Sequence, residues 1–263
     1  MRPKKRLGQH FLRDARILAR IADALEAGAG DTVVEVGPGP GGLTAELAGR
    51  AGRVIAIEKD RDLARELVGR FPNVEVVEGD ALALDWQALA GGPFLAAGNI
   101  PYNITSPLID KALVPPRPVC VVFLVQREVA DRLAGAPGSA DYGALTVGVQ
   151  VVARVERLFR VPAGAFFPAP RVDSAVVRLT PLAQPLIEDG LVPAFRRTVV
   201  GLFGFRRKQL IRAVRELTGW DAPRAGEALA AAGVDPVLRP EALAPTDFVA
   251  LHRTLVDGGW PGD

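Results

Sequence analysis

Residues 31–42 read DTVVEVGPGPGG, and the fold turns on how this stretch is taken. Thr32–Val36 is a β-rich run without alternation, the pattern of a strand buried on both faces. Glycines at 37, 39, 41 and 42 end it in a tight turn, and GGLTAELAGRA (41–51) then carries helical spacing. Working outward, the same alternation recurs. RVIAIE (53–58) is a second strand, DRDLARELVGRF (60–71) a helix and NVEVVEGD (73–80) a third strand. PFLAAGN (93–99) and PVCVVFLVQ (118–126) supply a fourth and a fifth. Strand and helix in turn imply right-handed βαβ units and a parallel sheet. Two later runs, GVQVVARVERLFRV (148–161) and SAVVRLTP (174–181), are also β-rich and close enough to be antiparallel neighbours at one edge. The expectation is an α/β protein with a doubly wound sheet of about seven strands and a modified edge.

After Thr180 the texture changes. PLAQP (181–185) reads as a linker, and from Glu188 onward the sequence offers helices punctuated by Gly and Pro but no strand. The expected domains are residues 1–182, opening with a basic N-terminal arm over 1–12, and a small all-helical domain over 186–263.

Composition narrows the function classes. Hydrophobic residues make up 49% of 263, enough for a sizeable core. A single cysteine, Cys120, excludes an internal disulfide and a multi-thiolate zinc site, and two distant histidines give no metal-ligand cluster, so no metal is expected. No stretch reaches the roughly 18 apolar residues of a membrane span. The basic start lacks the apolar segment of a signal peptide. A cytoplasmic protein, monomeric by default, is expected. Net charge is only +2, so basic character is judged by where it sits.

Gly37, Gly39 and Gly42 satisfy G-x-G-x-x-G, and Glu58 ends the second strand where an acid holds ribose hydroxyls. A dinucleotide and S-adenosylmethionine both suit that layout. Pro38 and Pro40 remove N–H groups that a diphosphate would use. Glu35, inside the first strand, suits a cationic ligand better than an anionic one. Asp80, ending the third strand, offers a carboxylate to an adenine amine. These details favour S-adenosylmethionine.

NIPYNITSPL (99–108) follows the fourth strand, at the crevice where open α/β sheets bind ligands. An exocyclic adenine amine is a poor nucleophile because its lone pair is delocalised. The Asn99 side-chain oxygen, with a backbone carbonyl from Ile100 or Pro101, would orient such an amine and stabilise the charge that grows on it. Pro101 stiffens the corner and Tyr102 offers a stacking face. Turn chemistry also accounts for Asn and Pro here, and Ser106 with Pro107 reads as an ordinary helix start.

The chain resembles the ribosomal RNA adenine dimethylases over nearly its whole length. NIPY, RLGQHFL (6–12), EVGPGPGGLT (35–44), VIAIEKD (54–60), VEGDAL (77–82), FFPAPRVDSAVVRL (166–179), FGFRRKQLIRAV (203–214) and LRPEALAPTDFVAL (238–251) carry the resemblance. It is strongest to the bacterial members that dimethylate two adjacent adenines near the 3′ end of 16S rRNA in the small ribosomal subunit. It implies a Rossmann-like class I methyltransferase sheet with S-adenosylmethionine as cofactor. It implies that His10, Leu12, Gly37, Glu58, Asp80 and Asn99 bind that cofactor; His10 stands where the family often has Asn. Tyr102 and Phe166 would sandwich a flipped base, Phe167 occupying a position that varies. The basic residues Arg2, Lys4, Lys5 and Arg6 of the arm, and Arg196, Arg197, Arg206, Arg207, Lys208, Arg212 and Arg215, cluster outside the acid-rich catalytic part, as an RNA-tracking surface would. Arg206, Arg207, Lys208 and Arg212 are the named RNA candidates. A large-subunit rRNA methylase of the antibiotic-resistance type, a non-catalytic assembly factor and a nicotinamide oxidoreductase are the competing readings.

Overall fold

The computed structural model describes Lys4 and residues 8–261. Arg2, Lys5 and Arg6 of the expected basic arm lie outside the described residues. The chain divides into two compact units: the residues up to Ala130 with Val155–Pro181, and Asp131–Arg154 with the residues from Leu182 onward.

The first unit holds helix α1 (Ala15–Leu25) and a seven-stranded sheet. Asp14 starts α1 by accepting the Arg16 and Ile17 N–H groups, and Ile21, Ala22 and Leu25 form its buried face. The strands are β1 (Thr32–Val36), β2 (Arg53–Glu58), β3 (Val74–Glu78), β4 (Leu95–Asn99), β5 (Val121–Gln126), β6 (Ala153–Val161) and β7 (Ser174–Pro181). Their order across the sheet is 3-2-1-4-5-7-6. Strands β1 to β5 pair in parallel, and β7 runs antiparallel to β5. The chain therefore reverses between β1 and β4, which opens a crevice at their carboxyl ends. Val33, Val34, Ala96, Ala97, Val122 and Phe123 in the central strands are wholly buried, which explains the non-alternating runs. The linking helices α2 (Gly42–Ala48) and α3 (Arg61–Leu67) cover the sheet with Leu43, Leu47, Leu63 and Leu67. A two-residue ribbon, Phe11–Leu12 paired with Phe166–Phe167, lies outside the main sheet.

The second unit contains α7 (Ala144–Gln150), α8 (Val192–Gly204), α9 (Leu210–Thr218), α10 (Ala222–Ala231) and α11 (Pro245–Asp257), numbered after short helices at Trp86–Ala90 (α4), Thr105–Ala112 (α5) and Arg127–Leu133 (α6). Its core is aromatic. Phe203 stacks on Phe248 with centroids 5.5 Å apart, and Phe195 meets the His252 ring edge-on at 5.6 Å. His252 is buried and its Nδ1 lies 2.7 Å from the Thr198 hydroxyl, a satisfied core histidine.

Two local expectations are corrected. GVQVVARVERLFRV is a strand only from Ala153; residues up to Gln150 complete α7, because an unbroken apolar run reads equally as buried helix or buried strand. This is also why 131–154 groups with the helices rather than with the sheet. The helix after NIPY begins at Thr105, directly on a 3₁₀ turn over Tyr102–Ile104, so Ser106 is not its cap. The Thr105 hydroxyl donates back to the Pro101 and Tyr102 carbonyls instead.

Gly98 of β4 meets the end of β1 so closely that a Cβ there would lie 2.5 Å from the Val36 carbonyl oxygen. We expect Gly98→Ala to destabilise the protein by about 1–3 kcal/mol, the range for overpacking a core. Urea unfolding monitored by circular dichroism checks this, and an unchanged midpoint would show that the strands can separate freely.

Candidate active site

The crevice at the ends of β1, β2 and β4 opens into a cavity of about 940 Å³, a figure that includes open solvent at its mouth. Its wall includes His10, Gly37, Glu58, Asp80, Asn99 and Tyr102. Sequence-predicted residues far apart in the chain are thus brought together.

The glycine loop is shaped by positive φ angles of 68° at Gly37 and 57° at Gly39, which favour glycine. Its N–H groups are engaged internally. Gly37 donates to the Ile57 carbonyl, Gly39 to the Glu58 carboxylate at 3.0 Å, and Gly41 to the Pro38 carbonyl. With prolines at 38 and 40, none of these five residues has an N–H left for a diphosphate, so the loop does not suit a dinucleotide.

What the cavity offers is acceptors. Glu58 is buried, with one oxygen held by Gly39 and the other by the Asp60 N–H at 2.7 Å. Each oxygen keeps a second lone pair for a ligand hydroxyl. Burial pushes its carboxyl above the ordinary carboxylate range, against the pull of those N–H groups. The Asp80 carboxyl is lowered, chiefly by the Lys59 ammonium 2.6 Å away and also by the Leu82 N–H. Behind the loop, Glu35 is 1% exposed and its Oε2 has no hydrogen-bond partner. Burial raises its pKa to about 8, with Glu58 adding to the shift and Thr44 opposing it. Glu35 is therefore held as a neutral acid beneath the loop.

Asn99, the last residue of β4, donates its Nδ2–H to the His10 carbonyl at 2.8 Å. A carbonyl only accepts, so this bond fixes which way the amide faces and leaves Oδ1 as the free acceptor. The same His10 stacks its ring on Tyr102, centroids 5.4 Å apart at 21°. Its Nδ1 donates to the Pro168 carbonyl at 2.7 Å. The Tyr102 hydroxyl lies 2.7 Å from the buried Ser174 hydroxyl, which sets the ring's orientation. The Pro101 carbonyl already accepts from the Ile104 N–H and the Thr105 hydroxyl. Ile100 itself is buried, its N–H bonded to the Leu124 carbonyl.

Two expected residues are placed elsewhere. In the ribbon, Leu12 and Phe166 are partners on the core face, 9% and 5% exposed, inside the cluster with Val161 and Val176. Neither side chain reaches the cavity wall; Phe11 does, and it limits the space at Gly39, where a Cβ would lie 3.1 Å from its ring. Alternation along a strand explains the exchange: one residue in two faces the core. In this structure Leu12 and Phe166 are core residues.

Sequence reasoning did not single out Gln9 and Asp60. Gln9 lines the cavity and donates to Asp60, and Lys4 bonds the same carboxylate at 2.6 Å. Asp60 also caps α3. Lys4 is therefore tied to Asp60 and Asp62. An N-cap acid three residues before an apolar position was legible, but not its long-range partners. In the helical unit, Arg206 pairs with Glu241 and Lys208 with Glu216, whereas Arg207 and Arg212 are exposed. Surface pairs of this kind are worth little.

A 3-2-1-4-5-7-6 sheet with an acceptor-lined crevice at its switch point defines a class I methyltransferase. The family model for ribosomal RNA adenine dimethylase matches residues 1–240. The ribosomal RNA small subunit methyltransferase A of Moorella thermoacetica is 42% identical over 96% of this chain and 92% of its own. That of Geobacter metallireducens is 41% identical over 97% and 96%. Among solved structures, a dimethyladenosine transferase from Plasmodium falciparum superposes with TM-score 0.84 at 26% identity, covering 95% of this chain and 99% of that one. The 23S rRNA methyltransferase ErmE superposes with TM-score 0.73 at 33% identity, covering 94% and 99%. The chain belongs to the ribosomal RNA adenine dimethylase family.

The raised Glu35 pKa has a checkable sign. The unfolded chain loses this proton from about 4.5 upward and the folded chain only near 8. The folded state therefore binds more protons between these values, and stability falls as pH rises through that window. Glu35→Gln, uncharged and of the same shape, should flatten this part of the profile. Melting temperatures of both proteins from pH 5 to 9 test it; parallel curves would contradict a neutral buried Glu35.

Proposed function

We propose that the protein transfers methyl groups from S-adenosylmethionine to the N6 amines of two adjacent adenines near the 3′ end of 16S rRNA in the small ribosomal subunit. The single observation that carries this reading is the fixed Asn99 amide, its Oδ1 free at the mouth of an acceptor-lined nucleoside cavity. The residues fit the cofactor: acids at 35, 58 and 80 and a loop with no N–H for phosphate. Glu58 would hold its ribose hydroxyls, Asp80 its adenine amine in exchange for or beside Lys59, and the Gly37 turn its methionine part. Bound there, S-adenosylmethionine supplies an electrophilic methyl sulfonium.

The chain's own residues orient the nucleophile. Asn99 Oδ1 accepts one N–H of the adenine amine. The Ile100 carbonyl accepts the other, since that of Pro101 is already taken twice. Both dipoles oppose the positive charge that develops on nitrogen, and both are in place before reaction, so little reorganisation is required. Tyr102, braced by Ser174, gives the flipped base a face to stack on. No strong base is needed, because the methylated ammonium loses its proton readily. His10 contributes through its carbonyl and through the ring that covers Tyr102. Arg207 and Arg212 are the exposed cations through which the helical unit would follow rRNA phosphates.

The likeness to ErmE keeps one second reading, adenine methylation in the large subunit. Mass spectrometry of rRNA from both subunits after incubation with protein and cofactor separates the two. We expect dimethyladenosine at two neighbouring positions of small-subunit rRNA; incorporation confined to the large subunit would reject our reading. Asn99→Ala should lower kcat roughly 100-fold or more, the scale for losing one preorganised charge-stabilising group. RNA affinity, measured by filter binding, should be retained. Full methylation by the variant would show the orienting role to be wrong.

A further inference from the structure

The ribbon that frames the cavity has a second face. Phe11 and Phe167 are directly opposed partners, so their side chains share one side, while Leu12 and Phe166 share the other. Phe11 lines the cavity. Phe167 is outside its wall and 45% exposed, a large aromatic left in water at the rim. The Arg13 guanidinium lies over its ring, 4.0 Å from the centroid. Among the described residues no carboxylate pairs with Arg13, and Arg16 and Arg171 nearby in sequence are exposed as well. The next residue, Pro168, receives the His10 ring that covers Tyr102, which ties this rim to the stacking face within.

We propose that Phe167 and Arg13 form a stacking step for the nucleotide beside the flipped adenine. The inference rests on the RNA methyltransferase reading above. Phe167 does not line the cavity, so the base it holds is a neighbour of the one whose amine reaches Asn99. An aromatic with a guanidinium on its face is a general acceptor of unpaired bases, since every base has a π-face and the cation answers the adjoining phosphate. Stacking of this kind does not read base identity, so the step can hold whichever base lies beside the adenine in the cavity. The step therefore serves both methylation events and holds the strand while the second adenine replaces the first.

The test uses small ribosomal subunits lacking the modification, together with a short 3′-terminal RNA carrying 2-aminopurine in place of one of the two adenines. Phe167→Ala and Phe167→Leu should raise KM for the subunit roughly tenfold. Both variants should keep the wild-type affinity for S-adenosylmethionine and the wild-type melting temperature, and both should weaken the quenching of 2-aminopurine on binding. Phe167→Trp should restore KM and quenching. Arg13→Ala should also raise KM and make binding less dependent on salt. Wild-type KM and quenching in the Ala and Leu variants would overturn the proposal. So would a loss in Phe167→Ala that tracks a lowered melting temperature and is not restored by Trp. Wild-type protein that binds cofactor but methylates no rRNA would instead overturn the underlying reading, and this step with it.

Discussion

One hydrogen bond organises the active site: the Asn99 side-chain N–H given to the His10 main-chain carbonyl. It joins the end of β4 to a segment 89 residues earlier and decides which atom of the amide faces the cavity. Without that carbonyl the amide is free to turn, and an N–H donor would face an amine that itself needs an acceptor. Several other features serve to keep His10 in place. Its ring is held by the Pro168 carbonyl and lies on Tyr102, whose hydroxyl is braced by Ser174. The preceding Gln9 is anchored on Asp60, which Lys4 and the start of α3 also use. The site geometry is thus built from an N-terminal segment closed over the carboxyl ends of the central strands rather than from the sheet alone.

The second constraint is internal satisfaction of the glycine loop. Donors at 37, 39 and 41 are bonded within the protein, two of them to atoms of Ile57 and Glu58 at the end of β2. This rigidifies the turn and positions the Glu58 carboxylate at the same time. It also selects the ligand by charge. A loop whose donors at 37, 39 and 41 are taken, beside Glu58 and Asp80, disfavours phosphate and accommodates hydroxyls and an amine.

Much of this was legible in the sequence, for physical reasons that differ by element. The parallel strands were plain because burial on both faces forces unbroken β-branched runs, as in Thr32–Val36 and Val121–Gln126. Glu58 and Asn99 were locatable because each ends a strand, and Asp80 because it lies two residues past one, and strand ends in such sheets converge on one crevice. The reading failed where an apolar run had no period: Gly148 to Gln150, taken as strand, close the helix Ala144–Gln150, which joins the helical unit. Leu12 and Phe166 could not be told from Phe11 and Phe167, because a two-residue ribbon is too short for alternation to show which side meets the core. Lys4, Arg206 and Lys208 read as free cations, since their partners Asp60, Glu241 and Glu216 are set by tertiary contact.

A main-chain carbonyl fixes the Asn99 amide so that its oxygen, not its nitrogen, would meet an adenine amine in the cavity. A crystal structure with a non-reactive cofactor analogue and a short adenine-containing RNA measures this directly. We expect the adenine N6 within about 3 Å of Asn99 Oδ1, with Nδ2 still donating to the His10 carbonyl. An N6 placed away from Asn99, or an Asn99 side chain released from His10 in the complex, would contradict it.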